Sequence, residues 1–365
     1  MSDISIFDPF PPGENLKINN EYKRNRKIKY GEIRVLYPGR VHFSLLDYTK
    51  MNPPQPGGGG IGISCSNITN QIHISHRSAV DSAPTRPSVL HIQRLFAELV
   101  NKGAEKLFIS IDEDNSTSHS GFGSTVTRNT AIFSSLNAMF DNPFSDAEMF
   151  DILTHNYVED NNDKLVHWGF DTGVGEAALI FGGFVCVDQV GKYIGNISKE
   201  GLYIVMAKGN MGTFALQDYI DRGLASSGET GAIEAQINES VGMIHQRKYG
   251  IQLKEFFYKE LVESFTQNNY EIFRNRIWKL NELGTFKRMQ MSYNPEIMLN
   301  FEKAAKYQNA IYAGISSAGP AMFAIFSGQS DATKFIKENS QKFLPHLSSY
   351  TAGLVGQKMS IEIIH

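Results

Sequence analysis

At 365 residues the chain holds two ordinary domains or one large α/β unit, and 41% hydrophobic against 20% charged residues is enough to bury a sizeable core. A net charge of −3, from 35 Lys plus Arg against 38 Asp plus Glu, gives no bulk electrostatic reason to bind nucleic acid. Cys65 and Cys186 are too few for a disulfide scaffold and have no zinc spacing. No segment approaches the ~20 apolar residues that span a bilayer, and the polar, proline-containing stretch 1–20 has no apolar signal core. A cytoplasmic protein with no membrane or nucleic-acid partner is expected.

Residues 1–30, broken by Pro9, Pro11, Pro12 and Gly13 and carrying the basic run Lys23 to Lys29, are expected as a flexible arm with a solvated charged face. Ile33 to Tyr37 reads as a strand. Pro53, Pro54 and Pro56 precede a four-glycine turn, Gly57 to Gly60, and strands follow at 61–63 and 72–74. Ile92, Leu95, Phe96 and Leu99 predict a helix within 91–103, and 107–111 predicts a strand. Ile132, Phe133, Leu136 and Phe140 place a helix after the loop 119–125. The run 179–187 reads as a buried strand interrupted by Gly182 and Gly183. A second half opens near Gly191, with a strand at 202–206 and two helices, around 253–265 and 270–280, joined at Asn268-Asn269. A strand and glycine turn at 311–326 and a closing strand at 361–364 complete it. The expected division is an arm at 1–30, an N-terminal domain at 31–190 and a C-terminal domain at 191–365.

Four stretches carry chemistry. In His119-Ser-Gly-Phe-Gly-Ser-Thr125 a glycine loop feeds a helix, whose free amides favour an anion. A phosphate is expected against Gly121, Gly123, Ser124 and Thr125, with the Thr127 hydroxyl in reach and Arg128 as counter-charge; the loop lacks the Lys of a Walker motif. In Gly314-Ile-Ser-Ser-Ala-Gly-Pro320, Ser316, Ser317 and Gly319 allow close approach of a backbone or a ligand. Gly39 to Asp47 embeds Arg40, His42 and Asp47 in a strand-like apolar run, where a buried charge needs a partner or a function. Gly169 to Glu176 presents Asp171, Thr172, Gly173 and Glu176 on a glycine turn fit to position a substrate.

In their order along the chain the stretches resemble the GHMP superfamily, the fold of galactokinase, homoserine kinase and mevalonate kinase. His119 to Thr125 is similar to its second, phosphate-loop motif and Gly314 to Pro320 to its third. Within it the segment Arg40-Val-His-Phe-Ser-Leu-Leu-Asp47, the glycine runs at 59–63 and 172–175, and Gly182-Gly-Phe184 look most like β-ribofuranosylaminobenzene 5′-phosphate synthase. Gly175 stands where many kinases of the superfamily carry an acid. Thr125-Val126 and Ala318 depart from the synthase pattern.

The resemblance implies an α+β fold of two domains: an N-terminal mixed α/β domain with the phosphate loop and a C-terminal ferredoxin-like α/β sandwich. It also implies a transferase that moves ribose 5-phosphate from phosphoribosyl pyrophosphate to a hydroxy- or aminobenzoate-like acceptor, releasing pyrophosphate and carbon dioxide. Asp47, Glu176 and His42 would be its catalytic residues, with Arg40 among those binding the donor. Mg²⁺ would neutralise the leaving group, with Ser124 as a ligand. The alternatives are an ATP-dependent small-molecule kinase and a non-catalytic ligand sensor. The expected partners are small molecules, with a homodimer left open.

Overall fold

The computed structural model describes residues 8–50, 54–76, 86–113, 123–161, 164–209, 230–290, 295–317, 321–343, 347–354 and 356–364. Two antiparallel sheets organise them. The first is built on two long strands, β1 (Glu32–Ser44) and β2 (Gly60–Ser75). Around them lie β3 (Phe108–Asp112), β6 (Phe184–Val187), β7 (Tyr193–Ile197) and β12 (Ser360–Ile364), in the order β12-β1-β2-β6-β7 with β3 also on β2. The short strands β4 (Val158–Asp160) and β5 (Val166–Trp168) form a separate hairpin. The second sheet takes β8 (Tyr203–Gly209), β9 (Tyr312–Ile315), β10 (Ala321–Phe326) and β11 (Leu347–Leu354) in the order β11-β8-β10-β9.

The first lobe packs four helices on its sheet: α1 (Pro87–Leu99), α2 (Ser124–Met139), α3 (Asp146–His155) and α4 (Val174–Ile180). Each start has a local cause. Pro87 opens α1, where its missing N–H costs nothing. Ser145 and Glu148 close a reciprocal capping box on α3. From Val126 to Met139 every residue of α2 is buried, as expected of a helix enclosed on all sides rather than lying on a surface. Ile33, Val35, Tyr37, Phe96, Phe133 and Phe140 share its core.

A second core joins the lobes. Phe43 of β1 stacks on Tyr312 of β9 at 4.7 Å and meets Phe184 and Phe323 at 6.0 and 5.1 Å. Each such aromatic pair contributes about 0.5–1.5 kcal/mol beyond its buried area. The helix Tyr270–Leu283 adds Phe273, Ile277 and Leu280 to this core. A third core lies between the second sheet and the helices Pro295–Tyr307 and Gln329–Phe343.

Three expectations change. Residues 8–30 are not a free arm: Phe10 is buried and bridges to Val166, the Gly13 N–H donates to His91 Nδ1 at 3.1 Å, and Tyr22 donates to Asp151 at 2.8 Å. The run 179–187 is not one strand. Ala177 to Ile180 ends α4, Gly182 and Gly183 turn, and only Phe184–Val187 is β6; short apolar runs fit helix and strand equally well. The sheets also do not divide at residue 190, because β7 and β12 both pair into the first sheet. No described helix is long and apolar enough to cross a membrane.

Candidate active site

The site is assembled where β1, the start of α2 and the start of α4 meet. Register between β1 and β2 slips between Pro38 and Gly39 and again between His42 and Ser44, re-aiming the side chains past each irregularity. Arg40, half-buried, extends to Gly123, the residue capping α2: a Cβ on Gly123 would lie 2.7 Å from Arg40 Nε. Gly123 also has φ +68°, a conformation that costs an L-residue about 1–2 kcal/mol. Both features demand glycine. The cap makes no side-chain hydrogen bond, and Gly123, Ser124 and Thr125 are the part of α2 that is not buried. Helix amides and a guanidinium therefore converge on one spot, as an anion requires.

Across from it sit two carboxyls. Gly173, at φ +73°, caps α4, and its N–H donates to Asp171 Oδ1 at 2.8 Å. Glu176 lies in the first turn of α4, 1% exposed, and interacts directly with Asp171, itself 7% exposed. Burial raises the Asp171 carboxyl to about 6. Burial, and then the Asp171 charge, drives Glu176 well above the carboxylate range. Two acids this close share a proton rather than both ionise. Beyond that shared proton, Asp171 Oδ2 and Glu176 Oε2, both buried, have no hydrogen-bond partner among the described residues.

Burial disfavours the Arg40 charge, and the groups that offset this are Tyr157, Glu176 and Asp171. Tyr157 donates to Glu159 at 3.0 Å from the β4–β5 hairpin, and burial, then Glu159, Asp171 and Glu176, hold its phenol far above its ordinary value. Tyr157 and Glu159 thus belong to the site, although sequence reasoning passed over them. The signal was available: Tyr157-Val-Glu-Asp160 and Leu165-Val-His-Trp168 flank a polar Asn161-Asn162-Asp163 turn, the pattern of a hairpin.

Gly175 has a steric reason to be glycine. A Cβ there would lie 2.4 Å from Cγ1 of Val126, where α4 crosses the first turns of α2. A side chain at this position does not fit; the carboxyl of this turn is that of Glu176.

The remaining expected residues are sorted by the geometry. The His42 N–H donates to Ser316 Oγ at 3.2 Å, and Ser317 N–H, at φ 59°, donates to His42 O at 3.1 Å, so the third motif docks on β1 beside Arg40. The His42 ring meets Phe286 edge-on at 4.9 Å, and burial, then Arg40, holds it neutral. Thr172 Oγ1 accepts from Val174 N–H at 3.4 Å, part of the turn into α4.

Arg128, expected as a counter-charge to phosphate, is turned to acids of the protein. One turn into α2 and 1% exposed, it binds Glu113 and Asp160 at 3.2 Å each and Ser88 Oγ at 3.1 Å. Thr127 is buried, and its hydroxyl donates to Gly123 O at 3.0 Å within its own helix. Asp47 is fully engaged as well: Oδ1 accepts from Thr49 N–H and Oγ1 at 3.0 and 2.6 Å, and Oδ2 from Lys254 at 2.5 Å. Burial opposes its charge, yet Lys254 and Thr49 hold its carboxyl below the usual range. That is the environment of an anchor between β1 and the helix Thr230–Phe256, not of a proton acceptor. Gly121, with His119, and Gly319 lie outside the described residues.

No group of three or more His, Cys, Asp or Glu among the described residues could cage a metal. A nucleotide-bound Mg²⁺ needs only one or two protein oxygens. The partly exposed Ser124 and the unpartnered carboxyl oxygens of Asp171 and Glu176 are of the right chemistry.

No family model matches the sequence, and no curated protein matches it. Solved structures do. A homoserine kinase from Cytophaga hutchinsonii is similar over 95% of this chain and 100% of its own at 12% identity, TM-score 0.55. Mevalonate pyrophosphate decarboxylase from Streptococcus pyogenes is similar over 90% and 98% at 11% identity, TM-score 0.57. L. major mevalonate kinase, solved with R-mevalonate, is similar over 91% and 99% at 14% identity, TM-score 0.56. At such identities the likeness is one of fold: the chain has the two-lobed α+β fold of the GHMP kinases.

Proposed function

We propose that the protein is an ATP-dependent kinase of the GHMP type, transferring the terminal phosphoryl group to a hydroxyl of a small molecule. One observation carries this reading: Arg40 joins the open N-terminus of α2, at Gly123, to a buried pair of acids, Asp171 and Glu176. Phosphoryl transfer is largely positioning and charge stabilisation. Here the amides of Ser124 and Thr125 would cradle the phosphates, and Arg40 would meet the charge that develops on the transferred group. The acid pair supplies the base. At neutral pH Glu176 keeps the proton the pair shares and Asp171 carries its one charge, so Asp171 accepts the proton of the attacking hydroxyl. Mg²⁺, held through the phosphates with Ser124 and a carboxyl oxygen of the pair, would offset the phosphate charge.

The reading of a phosphoribosyl pyrophosphate-dependent transferase, favoured by Gly175 and the Arg40 to Asp47 segment, is the weaker one. The fold neighbours are described as kinases and as a decarboxylase acting on a pyrophosphate. Asp47, which that reading needs beside the reacting carbon, is tied to Lys254 and Thr49.

The test is to incubate the protein with Mg²⁺, ATP and a panel of small alcohols, and in parallel with phosphoribosyl pyrophosphate and hydroxy- or aminobenzoates. Alcohol-dependent ADP formation that falls by about 10²–10⁴ in Asp171→Asn supports the kinase. Pyrophosphate release without ADP formation would replace it with the synthase.

A further inference from the structure

The helix Thr230–Phe256 and the π-helical turn Phe257–Leu261 that continues it turn Gly242, His245, Gly250, Leu253, Phe256 and Phe257 inward. Their outward side should be polar. It instead carries Ile244, Ile251 and Tyr258, which are 66%, 78% and 41% exposed. One exposed isoleucine is ordinary. Three large apolar side chains seven residues apart fall on one line along a helix, the spacing of a helix-pairing seam.

The charges beside this seam are self-complementary. Arg247 and Glu255, both exposed, stand four residues before and four residues after Ile251. A second copy laid antiparallel, with a twofold axis at Ile251, brings Arg247 of each copy to Glu255 of the other, twice over. The same operation sets Ile244 against Tyr258 and Ile251 against itself. A parallel copy would align like charges instead. The same operation sets Lys248 opposite Lys254; Lys248 leans over the Tyr249 ring at 5.0 Å and Lys254 is turned to Asp47 at 2.5 Å. Glu255 is bound within its own helix only by Lys259, at 3.3 Å, and its side chain remains 58% exposed.

We propose that this face is a homodimer interface, formed by antiparallel pairing of the two helices about Ile251. The symmetry explains why one stretch carries both its apolar centre and both signs of charge. A contact of one helix pair lies at the small end of specific interfaces, so the dimer is concentration-dependent and weakens with salt.

Sedimentation velocity over a concentration series tests it on the full chain. Wild type should pass from monomer to dimer. Ile251→Glu should be monomeric throughout with its melting temperature unchanged. Arg247→Glu should weaken dimerisation about tenfold through two like-charge contacts, and Arg247→Glu with Glu255→Arg should recover most of it. In Ile251→Cys, mild oxidant should link two copies through the new thiol, since Cys65 and Cys186 are buried. A wild type that stays monomeric to its solubility limit overturns the proposal and leaves the face to a different protein. A dimer that survives Ile251→Glu overturns it too, as does an Ile251→Cys variant that mild oxidant leaves unlinked.

Discussion

Glu176 and Asp171 face each other at the start of α4, both buried, and hold one negative charge between them more readily than two. For an acid whose native pKa is raised, the folded state keeps a proton that the unfolded chain gives up. Stability is then retained below the usual carboxylate range of about 4 and declines as pH rises through about 6, where Asp171 titrates. Glu176, raised further still, adds its own penalty above the usual carboxylate range, and Glu176→Gln removes that share while the burial of Asp171 remains. The variant's melting temperature should match wild type near pH 4 and exceed it near pH 8; curves that run parallel across this range would show the pair is not strained by ionisation.

Gly123 should tolerate no side chain. Gly123→Ala meets both the left-handed backbone and Arg40 Nε, and Gly123→Val more so. Calorimetry is expected to find ATP binding lost in either variant, with α2, packed from Val126 onward, still folded by circular dichroism.

Placing an acid at position 175 should fail in this chain. Gly175→Asp drives a Cβ into Val126, and overpacking of this kind costs about 1–3 kcal/mol. Val126→Ala in the same chain opens the space and should return part of the lost stability in urea titrations. A destabilisation that Val126→Ala leaves untouched would exclude this contact as the cause.

Arg128→Ala is expected to be among the most destabilising single changes, by about 3–5 kcal/mol, because Glu113 and Asp160 would lose their shared partner. Chemical denaturation reads the loss. ATP affinity measured below the melting transition should stay near wild type, which a phosphate ligand would not allow.

Asp47→Asn and Lys254→Met should each lower stability, and the double variant should cost little more than either alone, since both break one contact. Full additivity in thermal melts would mean that the two side chains act separately.

Local signals were well written in the chain. Ile132, Phe133 and Leu136 mark α2, and Asn269, whose side chain accepts from Ile272 N–H at 3.1 Å, caps the helix after the expected hairpin turn. Arg40, Asp171, Thr172 and Glu176 stood out as polar groups in apolar or glycine-rich surroundings, and the fold gathers them. What sequence reasoning misread needed tertiary knowledge. Arg128 follows the glycine loop closely enough to resemble a phosphate ligand, but helical rotation turns it toward Glu113 and Asp160. Asp47 differs from Glu176 only in what the fold sets beside it: a lysine from the helix Thr230–Phe256 in one case, a second acid in the other.

The strand β12 lies on β1, so the earliest long strand of the fold is covered at one edge by its latest. A nascent chain must carry that open edge through synthesis of both lobes, exposed to any other strand that could pair with it.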